Sequence, residues 1–90
     1  MEKVDLEYIR ERFLREQKNG EKDIFLCNLV FSDRNLRHIR HSQFEKFLID
    51  NYPKEGFYTP LHQFKRQGGV AFNTDKERLE WLELQINKTN

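Results

Sequence analysis

The amino-acid sequence predicts an all-α fold, a small bundle of four to five short helices forming one domain over residues 1–90. Three observations lead there. Leu6, Ile9, Phe13 and Leu14 recur at the spacing of one helix face. Two S/T-x-x-E capping boxes, Ser42–Glu45 and Thr74–Glu77, each stand just ahead of an apolar pattern. Asn19-Gly20, Pro53, Thr59-Pro60 and Gly68-Gly69 interrupt the chain at helix-length intervals.

The first helix is expected from Asp5 to Lys18, with Asp5 as its cap and Asn19-Gly20 supplying a left-handed C-terminal turn. Its other face, with Glu7, Arg10, Glu11, Arg12 and Arg15, reads as a solvated surface laced by i,i+4 pairs. The most apolar stretch, Ile24 to Phe31, is expected to form a central helix over about residues 22–31. Its β-branched and aromatic content also allows a strand. In that alternative, 24–31 pairs with 69–73 as a short hairpin and the fold becomes α+β. Ser42 opens a helix that buries Phe44, Phe47 and Leu48 and stops near Asn51, because Pro53 disfavours helix in the residue before it. Thr59-Pro60 starts a short helix holding Leu61 and Phe64, ended by Gly68-Gly69. Thr74 caps a last helix running to about Asn87.

Composition bounds the function. Hydrophobic residues make up 37 % and charged residues 34 %, and twelve aromatics give such a polar chain enough large side chains to fold. Sixteen basic residues against fifteen acidic ones leave a formal charge of +1, which excludes the strongly basic field of a general nucleic-acid coating protein. Cys27 is the single cysteine, so no internal disulfide forms. No N-terminal stretch reads as a signal peptide, and no run approaches the ~18 apolar residues of a membrane span. The expected compartment is the reducing cytosol.

Catalytic patterns are missing. There is no G-x-S-x-G elbow, and Gly68-Gly69 lacks the spacing of a phosphate-binding loop. Cys27 sits among apolar neighbours, where burial raises a thiol's pKa instead of activating it. His38, His41 and His62 do not reproduce zinc-ligand spacing, so no metal site is assigned. Glu77, Glu80 and Glu83 suit a solvated helix face. Neither an enzyme nor a cofactor is expected.

Two features exceed what folding requires. Arg34 to His41 packs three arginines and two histidines into eight residues. On a helix, Arg34, Arg37, His38 and His41 form one stripe that suits an acidic protein face or phosphates, with Arg40 pointing elsewhere. The last helix carries Leu79, Leu82 and Ile86 on one side and Trp81 with Leu84 on another. Trp81 and Leu84 are therefore either sandwiched inside the fold or available to a partner or second copy. The sequence reads best as a protein that binds and modulates or inhibits another protein through Arg34, Arg37, His38, Arg40, His41, Trp81 and Leu84. One alternative is a small nucleic-acid-binding regulator using Arg34, Arg37 and Arg40, with Lys65 and Arg66 in support. Another is an oligomer that sequesters a small ligand between subunits.

The order of parts also carries a resemblance. An apolar helix holds Cys27, a short helix carries Phe44, Phe47 and Leu48, an aromatic, proline-containing connection follows, and an R-x-x-W-L pattern (Arg78, Trp81, Leu82) closes the chain. Over roughly residues 22–86 this spacing resembles that of small accessory proteins encoded by tailed bacteriophages. The resemblance implies a class of role, the binding and blocking of a host or defence protein in the host cytoplasm. It assigns no site residue.

Overall fold

The computed structural model describes residues 1–51 and 74–89, and these are built from helices and the turns between them. In order they are α1 (Lys3–Lys18), α2 (Leu26–Phe31), a 3-10 turn (Arg34–Leu36), α3 (His41–Asp50) and α4 (Asp75–Lys88). The fold is all-α, and no strand occurs among the described residues. Because 26–31 is helical, the hairpin alternative for 24–31 fails. Residues 69–73, the Thr59-Pro60 helix start, the Gly68-Gly69 stop, His62, Lys65 and Arg66 lie outside the described residues.

α1 begins two residues earlier than expected. Glu2 is its cap, with the amides of Asp5 and Leu6 bonded to the Glu2 carbonyl, and the Asp5 side chain is engaged elsewhere. Its C-terminus ends as the sequence predicts. Gly20 adopts φ +88°, its amide bonds the Gln17 carbonyl, and the Glu21 amide reaches the Glu16 carbonyl. Those two bonds are the Schellman pair, and the positive φ they need favours glycine. Leu6, Ile9 and Phe13 are fully buried, but Leu14 is 43 % exposed. At about 100° per residue Leu14 lies ~80° around the helix from Leu6, past the edge of the buried face.

α2 is shorter than the expected 22–31 helix, and the reason lies far away in sequence. The Asp75 carboxylate accepts the amides of Asp23 (3.0 Å) and Ile24 (2.8 Å), while Asp23 is held at φ +54°. With those donors turned toward α4, residues 22–25 do not enter the helix. α3 starts at His41, one residue before the expected start, because the Gln43 side chain accepts the Arg40 amide at 3.2 Å. The expected cap, Ser42, lies within the first turn. Asn51 ends α3 by donating both its amide and its side-chain nitrogen to the Phe47 carbonyl. In the second capping box the Thr74 cap forms as predicted, its hydroxyl accepting the Glu77 amide at 3.2 Å and donating to the Glu77 carboxylate.

Among the described elements, α1 packs most extensively on α4, and α2 lies against both α1 and α3. A single core joins Ile9 and Phe13 with Leu26, Val30, Phe44, Leu48, Trp81 and Leu82. Trp81 is only 2 % exposed and belongs to this core. Its indole N–H donates to the Asn51 carbonyl at 3.0 Å, and its ring meets Phe47 edge-on at 5.6 Å. Arg78 and Leu82 are buried beside it, so all three residues of the R-x-x-W-L pattern serve packing here. No helix among the described residues is long and apolar enough to cross a membrane.

Candidate partner-binding surface

The surface begins with a buried carboxylate. Asp33 follows α2 and is almost wholly enclosed. One oxygen accepts the Tyr8 hydroxyl (2.8 Å) and an Arg12 guanidinium nitrogen (2.9 Å), and the other accepts the Asn35 amide (2.8 Å). Asn35 in turn donates its side-chain nitrogen to the Tyr8 oxygen at 2.8 Å. Burial pushes the Asp33 carboxyl up, but these three donors and the Arg12 charge outweigh it. The net effect holds it below the ordinary carboxylate value. Arg12 also reaches Glu16 at 3.3 Å.

From this anchor the chain runs through two successive i→i+3 backbone bonds, Leu36 to Asp33 and Ile39 to Leu36. Such geometry eclipses every third residue, and the side chains separate accordingly into three sets. Asp33, Leu36 and Ile39 are buried and face the core. Asn35 and His38 face α1, where Asn35 bonds Tyr8 and the His38 Nε2 lies 3.0 Å from an Asp5 oxygen. Arg34, Arg37 and Arg40 occupy the remaining positions, Arg40 beyond the 3-10 turn and just ahead of α3. All three are exposed, and none of their side chains has a hydrogen bond or ion pair among the described residues.

This corrects the stripe expected from helical spacing. No helix spans 34–41, so Arg34, Arg37, His38 and His41 do not share a face. The Asp33 carboxylate caps a 3-10 turn, and the period of three that follows sends His38 to α1. His41 opens α3 and stacks on the Phe31 ring, with centroids 3.5 Å apart and planes 22° apart.

An open groove of about 390 Å³ lies between the start of α1 and α3. It is lined by the carboxylates of Glu2, Asp5 and Asp50 together with His38, Lys46 and Phe47. The other expected surface does not form. Trp81 is in the core while Leu84 is 40 % exposed, so the two do not make one apolar face. The expectation of an outward Trp81 is therefore corrected: Asn51 and Phe47, at the end of α3, cover it. Cys27 is buried, and desolvation, with the Glu45 charge second, pushes its thiol up to about 12. Among the described residues no group of three or more His, Cys, Asp or Glu side chains is placed to hold a metal.

Sequence reasoning singled out the arginines but missed what holds them. Asp5, Tyr8 and Arg12 stand at i, i+3 and i+7 on α1, a polar edge bordering the apolar face. That spacing was visible, but its counterparts Asp33, Asn35 and His38 were hidden by their distance along the chain. No family model matches the chain, and no curated protein or solved structure matches it either.

Proposed function

We propose that this chain is a non-enzymatic protein that binds an acidic face of another protein through Arg34, Arg37 and Arg40, and so modulates or blocks it. One observation carries the reading. Three exposed arginines, whose side chains have no hydrogen-bond or ion-pair partner among the described residues, stand on a segment fixed by the buried side chains of Asp33, Leu36 and Ile39. A fixed segment loses little conformational freedom when it binds, which leaves more of each contact as affinity. The resemblance to phage accessory proteins suggests a host or defence protein in the host cytoplasm as the class of target.

The test compares the wild-type chain with R34A/R37A/R40A as immobilised baits in nuclease-treated extract. Exposed positions of this kind change folding stability by about 0.5 kcal/mol or less, so the variant stays folded. The expected result is one or more proteins retained by the wild type and lost with the variant. Equal retention by both baits, or none by either, refutes the proposal. Retention seen only when the nuclease treatment is omitted points to nucleic acid instead.

A further inference from the structure

We infer that binding through Arg34, Arg37 and Arg40 is strengthened by protonation of His41, the residue that closes the loop carrying them. The inference rests on the proposed function and concerns its regulation. α2 ends at Phe31 and α3 begins at His41, so residues 32–40 connect the two helices. The rings of Phe31 and His41 stack with centroids 3.5 Å apart, which brings the ends of that connection together. Phe31 in turn meets Phe44 edge-on at 6.1 Å, and Phe44 is fully buried. The stack is thereby fixed to the core on one side, while His41 itself is exposed. All three arginines lie between its two members in sequence, and Arg40 is the direct neighbour of His41.

The two histidines of this stretch have different surroundings. His38 Nε2 lies 3.0 Å from an Asp5 oxygen, and Glu2, Lys46 and Asp50 line the same groove. A proton gained by His38 is therefore met by a carboxylate already beside it. The His41 ring has no hydrogen bond or ion pair among the described residues. Around it stand the Phe31 ring on α2, Arg40 before it and Glu45 one turn further along α3. Glu45 is the acidic member of that set, and it makes no ion pair with the ring. A proton on His41 thus adds a charge to the arginine-bearing loop that no contact cancels. The negative face of the Phe31 ring attracts an imidazolium stacked on it, so the same proton tightens the closure. Arg40 and the amides at the start of α3 oppose that charge. Carboxylates of a docked partner relieve this repulsion, so partner binding and proton uptake favour each other.

Histidine is the side chain that changes charge between about pH 5 and 8, whereas glutamate carboxylates stay ionised above about pH 5. The test follows the fluorescence anisotropy of a labelled peptide of glutamates interspersed with serine and glycine. The full chain is titrated into it at about pH 8 and about pH 5.5. One exposed charge changes affinity by about 1.4- to 5-fold, and the wild type is expected to bind tighter by that factor at the lower pH. H41Q keeps a polar side chain that cannot be charged, and at this exposed position it leaves the chain folded. It should lose most of the gain, whereas H38Q should keep it. R34A/R37A/R40A should bind weakly at both pH values. In parallel, the His41 ring protons followed by NMR should titrate over the interval in which affinity changes.

Equal affinity of the wild type at the two pH values overturns the inference, as does a gain that H41Q retains or that H38Q abolishes. A His41 titration displaced from the interval in which affinity changes overturns it too. These results leave the proposed function standing, provided the wild-type bait still retains a protein from extract that the triple variant loses. No binding of the peptide at either pH, with that retention intact, overturns the inference alone. Loss of the retention as well brings down the proposed function.

Discussion

Truncating Trp81 to alanine tests the assignment on which the packing of α4 depends. The ring is 2 % exposed, so its removal falls in the range of buried aromatic truncations, about 3 to 5 kcal/mol. The indole N–H bond to the Asn51 carbonyl and the edge-on contact with Phe47 are lost with it, and Asn51 is only half-buried. About 4 kcal/mol is a reasonable central value. A 90-residue chain has a total stability of about 5 to 14 kcal/mol, so the variant keeps about 1 to 10 kcal/mol. With a urea slope of about 1 to 3 kcal/mol per M, the midpoint should fall by about 1 to 4 M. Trp81 is the only tryptophan, so far-UV circular dichroism is the probe that serves both proteins. W81F, which retains an aromatic ring but not the N–H, should lie between the two. Leu84→Ala, at a 40 % exposed position, should move the midpoint far less. A W81A midpoint within ~0.3 M of wild type, with an altered mass in solution, would show that the indole faces a partner and that its placement in the core is wrong.

Two further outcomes follow from buried groups. Asp33→Ala removes the common acceptor of Tyr8, Arg12 and the Asn35 amide, and should cost about 2 to 4 kcal/mol at pH 7, reduced from the fully buried case because Arg12 remains partly in water. Since folding lowers the Asp33 carboxyl's pKa, its contribution is full above the unfolded value of about 3.9 and is lost as pH falls through the folded one. Urea midpoints at pH 7 and in strong acid should thus converge for wild type and D33A, and an undiminished gap in acid would contradict the lowered pKa. Cys27, its thiol pushed up to about 12, should react with a disulfide reagent at pH 8 only slowly in the folded chain and promptly in urea. Immediate stoichiometric labelling of the folded protein would place the thiol at the surface.

Much of the helical framework was legible because its signals are local. The Thr74–Glu77 box and the Asn19-Gly20 turn each act within a few residues, and both formed as their spacing requires. The errors arose where distant groups intervened. Asp75 withdrew two amides from the start of α2, and Gln43, by accepting the Arg40 amide, moved the start of α3 ahead of Ser42. The basic stretch was singled out for its charge, but its shape was not legible. Helical period was assumed, whereas Asp33 and its partners on α1 impose a period of three. The placement of Trp81 depended on whether another element covered it, and that element, the end of α3, lies thirty residues away.

The pairing of α1 with α4 sets a waiting time during synthesis. Lys18 ends one helix and Asp75 begins the other. A ribosome adding ~5–20 residues per second needs about 3 to 11 s to bridge that interval. Until then the side of α1 that α4 will cover is open to water, and the two amides of the 23–24 bend lack the carboxylate that will hold them. The nascent chain therefore passes through a period in which α1 can attract chaperones or neighbouring chains. Completion of the C-terminal helix closes that period.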